Sequence, residues 1–367
     1  MQMTTLHIFN PEHDIALAFH LANFTAPHAA RQLRADLGFL PALWAKPEDG
    51  VLVDHVDYSR QAFTRVSQRL HKVMGIEAPL PAFVAWRDRQ PLSRMQSVAP
   101  WGWDLALRAS LRRRGVQEQL LPTDSAIAET RQLSHRRTSA ALLPCLRMEN
   151  TVGESFECRD EHEVISLLQR YRHVVLKAPW SSSGRGLRFL SVERTPFAQQ
   201  QGWFRNLVAQ QGSVMVEPYY NKVCDFGMEF QCDASGSVRY VGLSLFHTVH
   251  GAYTGNILAT EHAKQLIMER YVPSSLLHRV ADTICQRMEP MLKDRYRGPF
   301  GVDMMVVARG DDAGGFLLHP CVEINLRRTM GHVAIALSPT DDDVAGLMHI
   351  ETGDHYKLKI SKFTVNS

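Results

Sequence analysis

Two short apolar runs near the C-terminal end, VDMMVV and FLLHPCVEI, flank the turn-rich segment ARGDDAGG. Short, apolar, β-branched runs around such a segment read as a hairpin. A turn centred near Ala313 sets Asp303 directly opposite Glu323, with Cβ atoms about 5 Å apart. Asn325 lies two residues beyond Glu323 and shares its face of the sheet. Three oxygen-bearing side chains then converge on one spot. Such a spot suits a hard cation like Mg²⁺, which takes one or two carboxylates and leaves other positions to water and phosphate. The competing reading is a solvated polar hairpin. Against it, Asp303 and Glu323 interrupt otherwise apolar strands, and an unpaired buried carboxylate is costly.

The chain has 367 residues, enough for two or three domains. Its 45% apolar and 22% charged content are those of a globular protein. A formal charge of +3 provides no global basic field, so no nucleic-acid partner is expected. None of the six cysteines forms a C-x-x-C pair, so neither zinc nor redox chemistry is indicated. The N-terminus lacks the pattern of a signal peptide, and no apolar run reaches about 18 residues. The expectation is a soluble cytoplasmic protein with no membrane contact.

Residues 1–125 read as an α/β unit, with strands at TLHIF and VLVDHV and a helix after PWGW. No Gly-x-Gly-x-x-Gly follows its first strand, so dinucleotide binding has no support there. Residues 126–145 read as a helix, basic at its centre. Asp160 and Glu163 have the spacing of a capping box. HVVLKAP, LRFLSV and SVMVE read as strands, and GMEFQC, DASGS and VRYVGLSLF as a hairpin. In SSLLHRVADTICQRMEPML, residues Leu277, Val280, Ile284, Met288 and Met291 share one helical face, read as core.

A second constellation lies in VVLKAPWSSSGRGLRFL. Lys177 ends a strand, and the small-residue loop Ser181, Ser182, Ser183, Gly184, Arg185, Gly186 follows. Such loops bring backbone N–H groups and hydroxyls to anionic oxygens. A strand rather than a helix comes next, which excludes the P-loop and Rossmann fingerprints. Alone, the loop is an ordinary turn; beside Lys177 and the acidic trio it reads as a phosphate flap. A third feature is MVEPYYNKVCD. There a carboxylate beside exposed backbone suits the amino edge of adenine, and a later acid suits ribose hydroxyls. Taken singly, Glu217 and Asp225 read as surface charges.

In this order, Lys177, SSSGRG, Glu217-Pro-Tyr-Tyr, Asp225, Asp303 and Glu323-Ile-Asn325-Leu-Arg327 closely resemble the ATP-grasp superfamily. The resemblance covers residues 125–335. It implies a mixed α/β and α+β chain: a pre-grasp α/β domain, then an ATP-grasp fold of two α+β subdomains clasping ATP. The expected division is 1–125 for the first domain, 126–212 for the N-terminal subdomain with linker helix and flap, 213–340 for the C-terminal subdomain with hinge and metal hairpin, and 341–367 for a tail. The resemblance implies that Lys177 contacts phosphates, Glu217 binds adenine N6, the Tyr219–Tyr220 backbone reads the ring edge and Asp225 binds ribose. Asp303, Glu323 and Asn325 would hold one or two Mg²⁺, with Mn²⁺ as an alternative, and Arg327 would steady the transferring phosphoryl group. The family's second phosphate lysine is absent; Arg136 and Arg137 both stand where it would be, and the sequence does not choose between them.

The implied chemistry is ATP-dependent joining of a small-molecule carboxylic acid to an amine or thiol through an acyl phosphate. Lys177, Arg185 and Arg327 would supply fixed positive charge. A small-molecule kinase and a non-catalytic ATP-binding regulator on the same scaffold are the alternatives. The family also raises a homodimer. Other polar residues remain open. His247, His250, Tyr253 and Asn256 read equally as pocket wall or plain loop. Arg328 and His332 either face an acceptor or pack. Glu12, His13 and Asp14 stand where α/β folds bind ligands, against the plainer reading of a helix capped by Asn10. A His7–His13 metal pair is the remotest reading, and Trp101 and Trp103 read as packing between domains.

Overall fold

A computed structural model describes residues 4–88, 95–181, 186–249, 252–310 and 314–363. Four short apolar strands, β1 (Thr5–Ile8), β2 (Gly50–Val53), β3 (Ala82–Ala85) and β4 (Ser97–Pro100), form a parallel sheet in the order β3-β2-β1-β4. The helix Val56–Met74 buries Ala62, Phe63, Val66 and Leu70. The loops after β1 and β4 leave neighbouring strands at their carboxyl ends. Asn10 ties them together, donating to Gly102 O at 2.8 Å and Asp104 Oδ2 at 3.3 Å. It caps no helix; the following helix, His13–Phe19, starts from Glu12 without a side-chain cap.

A second, antiparallel sheet holds β5 (Phe156–Cys158), β6 (His173–Lys177), β7 (Leu187–Ser191) and β8 (Val214–Pro218), in the order β5-β8-β6-β7. Its apolar face, with Val174, Leu176 and Val216, packs against helices that bury Val164, Leu168, Phe204 and Leu207. The capping box of Asp160 and Glu163 is formed. Strand β8, which follows the boundary expected at 213, pairs with β6 inside this sheet. The linker helix is also broken, into Asp124–Leu133 and Arg137–Leu142, with Pro144 in the 3₁₀ turn that ends it.

The third sheet is antiparallel and seven-stranded. It holds β9 (Lys222–Cys232), β10 (Val238–Val249), β11 (Ala252–Leu258), β12 (Gly298–Ala308), β13 (Phe316–Asn325), β14 (Gly346–Glu351) and β15 (Lys357–Lys362), in the order β13-β12-β9-β10-β11-β14-β15. The segment expected as a tail, 341–367, thus supplies two strands up to Lys362. Leu358 and Ile360 alternate with lysines, and this alternation turns one face of β15 inward. That face joins Phe63 and Val66 of the first unit and Trp101, so the β14–β15 hairpin packs the N-terminal unit against the seven-stranded sheet. The helix Ser274–Leu292 packs on the same sheet, burying Leu277, Val280, Ile284 and Met288 as its periodicity requires, while Met291 is only partly buried and Leu292 takes the buried position at the end. All six cysteines are free thiols. Among the described residues no helix is long and apolar enough to cross a membrane.

Ile284 is fully buried at the centre of that face. Ile284→Ala should lower unfolding stability by about 2–5 kcal/mol, read from urea denaturation.

Candidate active site

In the C-terminal hairpin β12 pairs with β13, and Asp303 stands opposite Glu323 as the turn position requires. Past this pair the register shifts, and Met305 meets His319. Ala313, the expected turn centre, lies outside the described residues. Asn325 donates from Nδ2 to Asp303 Oδ2 at 3.0 Å. The trio therefore converges, though in this arrangement the amide nitrogen of Asn325 faces the acid. Burial and the carboxylates of Glu323 and Glu229 push the Asp303 carboxyl from its ordinary 3.8 up to about 7, against the Asn325 hydrogen bond and Arg327. Among the described residues no three His, Cys, Asp or Glu side chains form a metal-binding group. The donor set here is two carboxylates and an amide, the hard-oxygen set that suits Mg²⁺ completed by phosphate and water.

Two arginines compensate the acids. Arg136, buried at the break in the linker helix, places Nη2 2.8 Å from Glu323 Oε1. It also donates to Ala178 O at 3.0 Å and to Ser181 Oγ at 3.2 Å. Arg137 turns away, half-exposed, with Nη1 3.8 Å from Glu157. The structure thus separates the two candidates: Arg136 faces the acidic trio and the base of the flap. Arg327 donates to both oxygens of Asp14 at 2.7 Å and to Asn325 Oδ1 at 3.0 Å. Burial would raise the Asp14 carboxyl, but the Arg327 guanidinium and the His13 hydrogen bond outweigh it and hold it well below the usual range. Asp14 belongs to the loop after β1, so the first domain reaches into the site.

Lys177 on β6 and Glu217 on the antiparallel β8 stand diagonally across the strand pair, two residues apart in register, and are buried and ion-paired to each other at 2.5 Å. Ser155 also donates to Glu217, at 3.2 Å. The two residues expected at opposite ends of a nucleotide are therefore partners here. The Tyr219 amide donates to His173 O, and Tyr220 O accepts from the Lys222 amide. The Tyr220 ring stands edge-on to His319 at 5.4 Å. Asp225 pairs with Lys222 at 2.5 Å. In the flap, Gly186 O accepts from the Ala178 amide, which closes its base. Ser182, Ser183, Gly184 and Arg185 lie outside the described residues.

A cavity of about 330 Å³ opens beside the trio. Tyr253 and Asn256, both on β11, line it, so these two residues of the HTVHGAYTGN stretch stand in a cavity wall. His247 is exposed, and His250 is not among the described residues. Trp101 both lines the cavity and packs in the interdomain core, whereas Trp103 packs inside the first domain. Arg328 stacks over Trp44 at 4.7 Å, and His332 closes a capping box with Thr329. His7 pairs with Asp49 and His13 with Asp14, so they form no metal pair.

Two site residues were not legible as such. Glu229, on the central strand β9, lines the cavity and is buried. His319 is fully buried near Lys177 and Glu217, burial lowers it to about 4, and neither ring nitrogen has a hydrogen-bond partner among the described residues. The signal for both was the one that singled out Asp303, a polar residue inside an apolar strand.

No protein-family model matches the sequence, and no curated protein matches it significantly. Solved structures do resemble it. Biotin carboxylase from Campylobacter jejuni, in a β-γ-ATP complex, matches at TM-score 0.51 and 12% identity, over 95% of this chain and 75% of the other. The biotin carboxylase domain of Hydrogenobacter thermophilus 2-oxoglutarate carboxylase, with MgADP, ADP and bicarbonate, matches at TM-score 0.50 and 13% identity over the same shares. The chain has the ATP-grasp fold. N5-carboxyaminoimidazole synthetase from Staphylococcus aureus also aligns, at TM-score 0.49 and 12% identity, over 96% of this chain and 83% of that one.

Two outcomes test the grasp site's electrostatics. Asp303 is raised in the folded chain, so its contribution to stability is present below its unfolded value and lost as pH rises through about 7. Asp303→Asn should reduce the fall in Tm between pH 4 and pH 7; an unchanged fall contradicts the assignment. A double-mutant cycle of Asp14→Ala and Arg327→Ala should give a coupling of roughly 0.5–3 kcal/mol in unfolding free energy.

Proposed function

We propose that this chain is an ATP- and Mg²⁺-dependent ligase joining a carboxylic acid to an amine, or to a thiol, through an acyl phosphate. The observation that carries the reading is the facing pair Asp303–Glu323 in an ATP-grasp fold. Asp303 is held up to about 7 by burial and neighbouring acids, and a divalent ion would stabilise the carboxylate that these disfavour. Asp303, Glu323 and Asn325 would hold the ion, and Mn²⁺ fits the same oxygen donors. When bound, the ion supplies neutralisation of the triphosphate and of charge spreading on the transferring phosphoryl group.

The chain's own groups do the rest. Arg136 takes the role of the missing linker lysine, because its guanidinium already reaches Glu323 and Ser181. Lys177 exchanges Glu217 for phosphate oxygens on nucleotide binding. That exchange releases Glu217 toward the adenine amino group, so one event satisfies both expected roles. Tyr219 and Tyr220 border the ring edge at the hinge, and Asp225 takes the ribose. Ser181, Ser182, Ser183, Gly184 and Gly186 cover the phosphates and exclude water, which would hydrolyse an acyl phosphate. Arg185 and Arg327 add positive charge at the phosphoryl group, and Asp14 fixes the orientation of Arg327.

ADP release is measured with ATP, Mg²⁺ and a panel of acids and amines, with hydroxylamine as the trap. Acyl hydroxamate should form, and Asp303→Ala and Glu323→Ala should each lower ADP release by about 100-fold or more, several kcal/mol of transition-state stabilisation. Unchanged Mg²⁺ dependence in both variants overturns the metal assignment. A phosphorylated acid as final product, with no hydroxamate, makes the protein a kinase instead.

A further inference from the structure

His319 stands on β13, fully buried, and neither ring nitrogen makes a hydrogen bond among the described residues. An imidazole buried in this way is costly, and such a group calls for a physical reason. The fold makes room for it at Gly153. A Cβ there would stand 2.9 Å from His319 Nε2, and the residue has a φ of +141°, which side chains rarely adopt. Two residues further on, Ser155 donates to Glu217 Oε1 at 3.2 Å. One short segment therefore packs against His319 and holds Glu217.

Several elements surround the ring. Met305 is its partner across β12, and Tyr220 of the hinge meets it edge-on. Burial holds the ring neutral, with its pKa lowered to about 4; Glu217 on β8 favours the charged form, Lys177 on β6 opposes it, and the residue's own backbone favours it. Beyond them are Glu154, which accepts from Tyr171 Oη at 2.6 Å, and Arg147, which donates to Gly153 O at 3.3 Å. Cys321, two residues along β13, stays a neutral thiol, pushed up to about 12 by burial.

Lys177 and Glu217 neutralise each other at 2.5 Å in a buried setting. Drawing the ammonium group away to phosphate would leave the carboxylate with the Ser155 hydroxyl. A buried carboxylate in that position is costly unless another cation replaces the first. His319 is at hand, with its ring nitrogens uncommitted and its charged form favoured by Glu217. We propose that His319 is a positioning residue for Glu217: when Lys177 leaves for the phosphates, the imidazole takes one proton from solvent and holds the carboxylate at the hinge. This rests on the nucleotide reading given above. With Lys177 gone, nothing opposes the imidazolium but burial, while Glu217 still favours it, so nucleotide binding and proton uptake reinforce each other. The Glu217 charge stays paired throughout, with Lys177 before and His319 after.

The test is an NMR pH titration of the full chain labelled at the histidine ring carbons, the His319 signal being the one lost in His319→Gln. In the free chain it should titrate near its lowered value of about 4. Saturating MgATP should raise that value by about two pH units, and so should Lys177→Met without nucleotide, checked for folding by circular dichroism. Relative to His319→Gln, wild-type affinity for MgATP should rise about threefold or more between pH 7 and pH 5.5. A His319 value that stays near 4 with nucleotide bound overturns the proposal. So does equal proton uptake by His319→Gln, since the Glu217 carboxylate then takes the proton itself. Calorimetry that finds no MgATP binding removes the nucleotide reading. The Lys177→Met titration then decides by itself whether His319 responds to Glu217, and an unmoved value there also overturns the proposal.

Discussion

Two like charges placed opposite each other on adjacent strands repel, and the rest of the site is organised around that cost. Asp303 and Glu323 face each other, and Glu229 adds to the same field. The compensation comes from three directions. Arg136 arrives from the linker, Arg327 from the chain just beyond β13, and the Asn325 amide bridges the acid and Arg327. Asp303 still remains well above its ordinary value, first through burial and then through the carboxylates of Glu323 and Glu229. A divalent cation is the simplest species that would bring it down.

The same residues join the domains. Arg327 sits two residues past Asn325, yet its main partner is Asp14 in the loop after the first strand. Arg328 donates its amide to Trp101 O and stacks on Trp44, both from the first domain. On the far side of the sheet order, β15 packs Leu358 and Ile360 against the long helix of that domain. The N-terminal unit is therefore a wall of the cavity as well as a neighbour of the grasp. An ion pair of this kind orients a guanidinium at some expense of its freedom to bind other anions.

Much of the architecture was legible in local pattern. The strand pair at 303 and 323 followed from two apolar runs and a turn-rich joint, and the core face of Ser274–Leu292 followed from helical spacing. The capping box at Asp160 followed from the distance to Glu163. What was not legible depended on partners remote in sequence. The strand Lys357–Lys362 was missed because lysines alternate with its apolar residues in a short terminal run. Glu229 was missed because only the pairing of β9 with β12 brings this lone acid beside Asp303 in the cavity wall. The Lys177–Glu217 pair was equally hidden: each residue was assigned to a nucleotide separately, and only the adjacency of β6 and β8 brings them together. Choosing Arg136 over Arg137 required the break in the linker helix, which the helical reading of 126–145 smoothed over.

On the proposed function, the facing acids of β12 and β13 form a divalent-ion site for a nucleotide. A crystal grown with Mn²⁺ and a non-hydrolysable ATP analogue tests it directly through anomalous scattering. The expected result is a manganese peak between Asp303 and Glu323, in contact with the analogue's phosphates, with Lys177 drawn off Glu217. Nucleotide bound in the cleft with no manganese at those carboxylates, or manganese bound elsewhere, would contradict it.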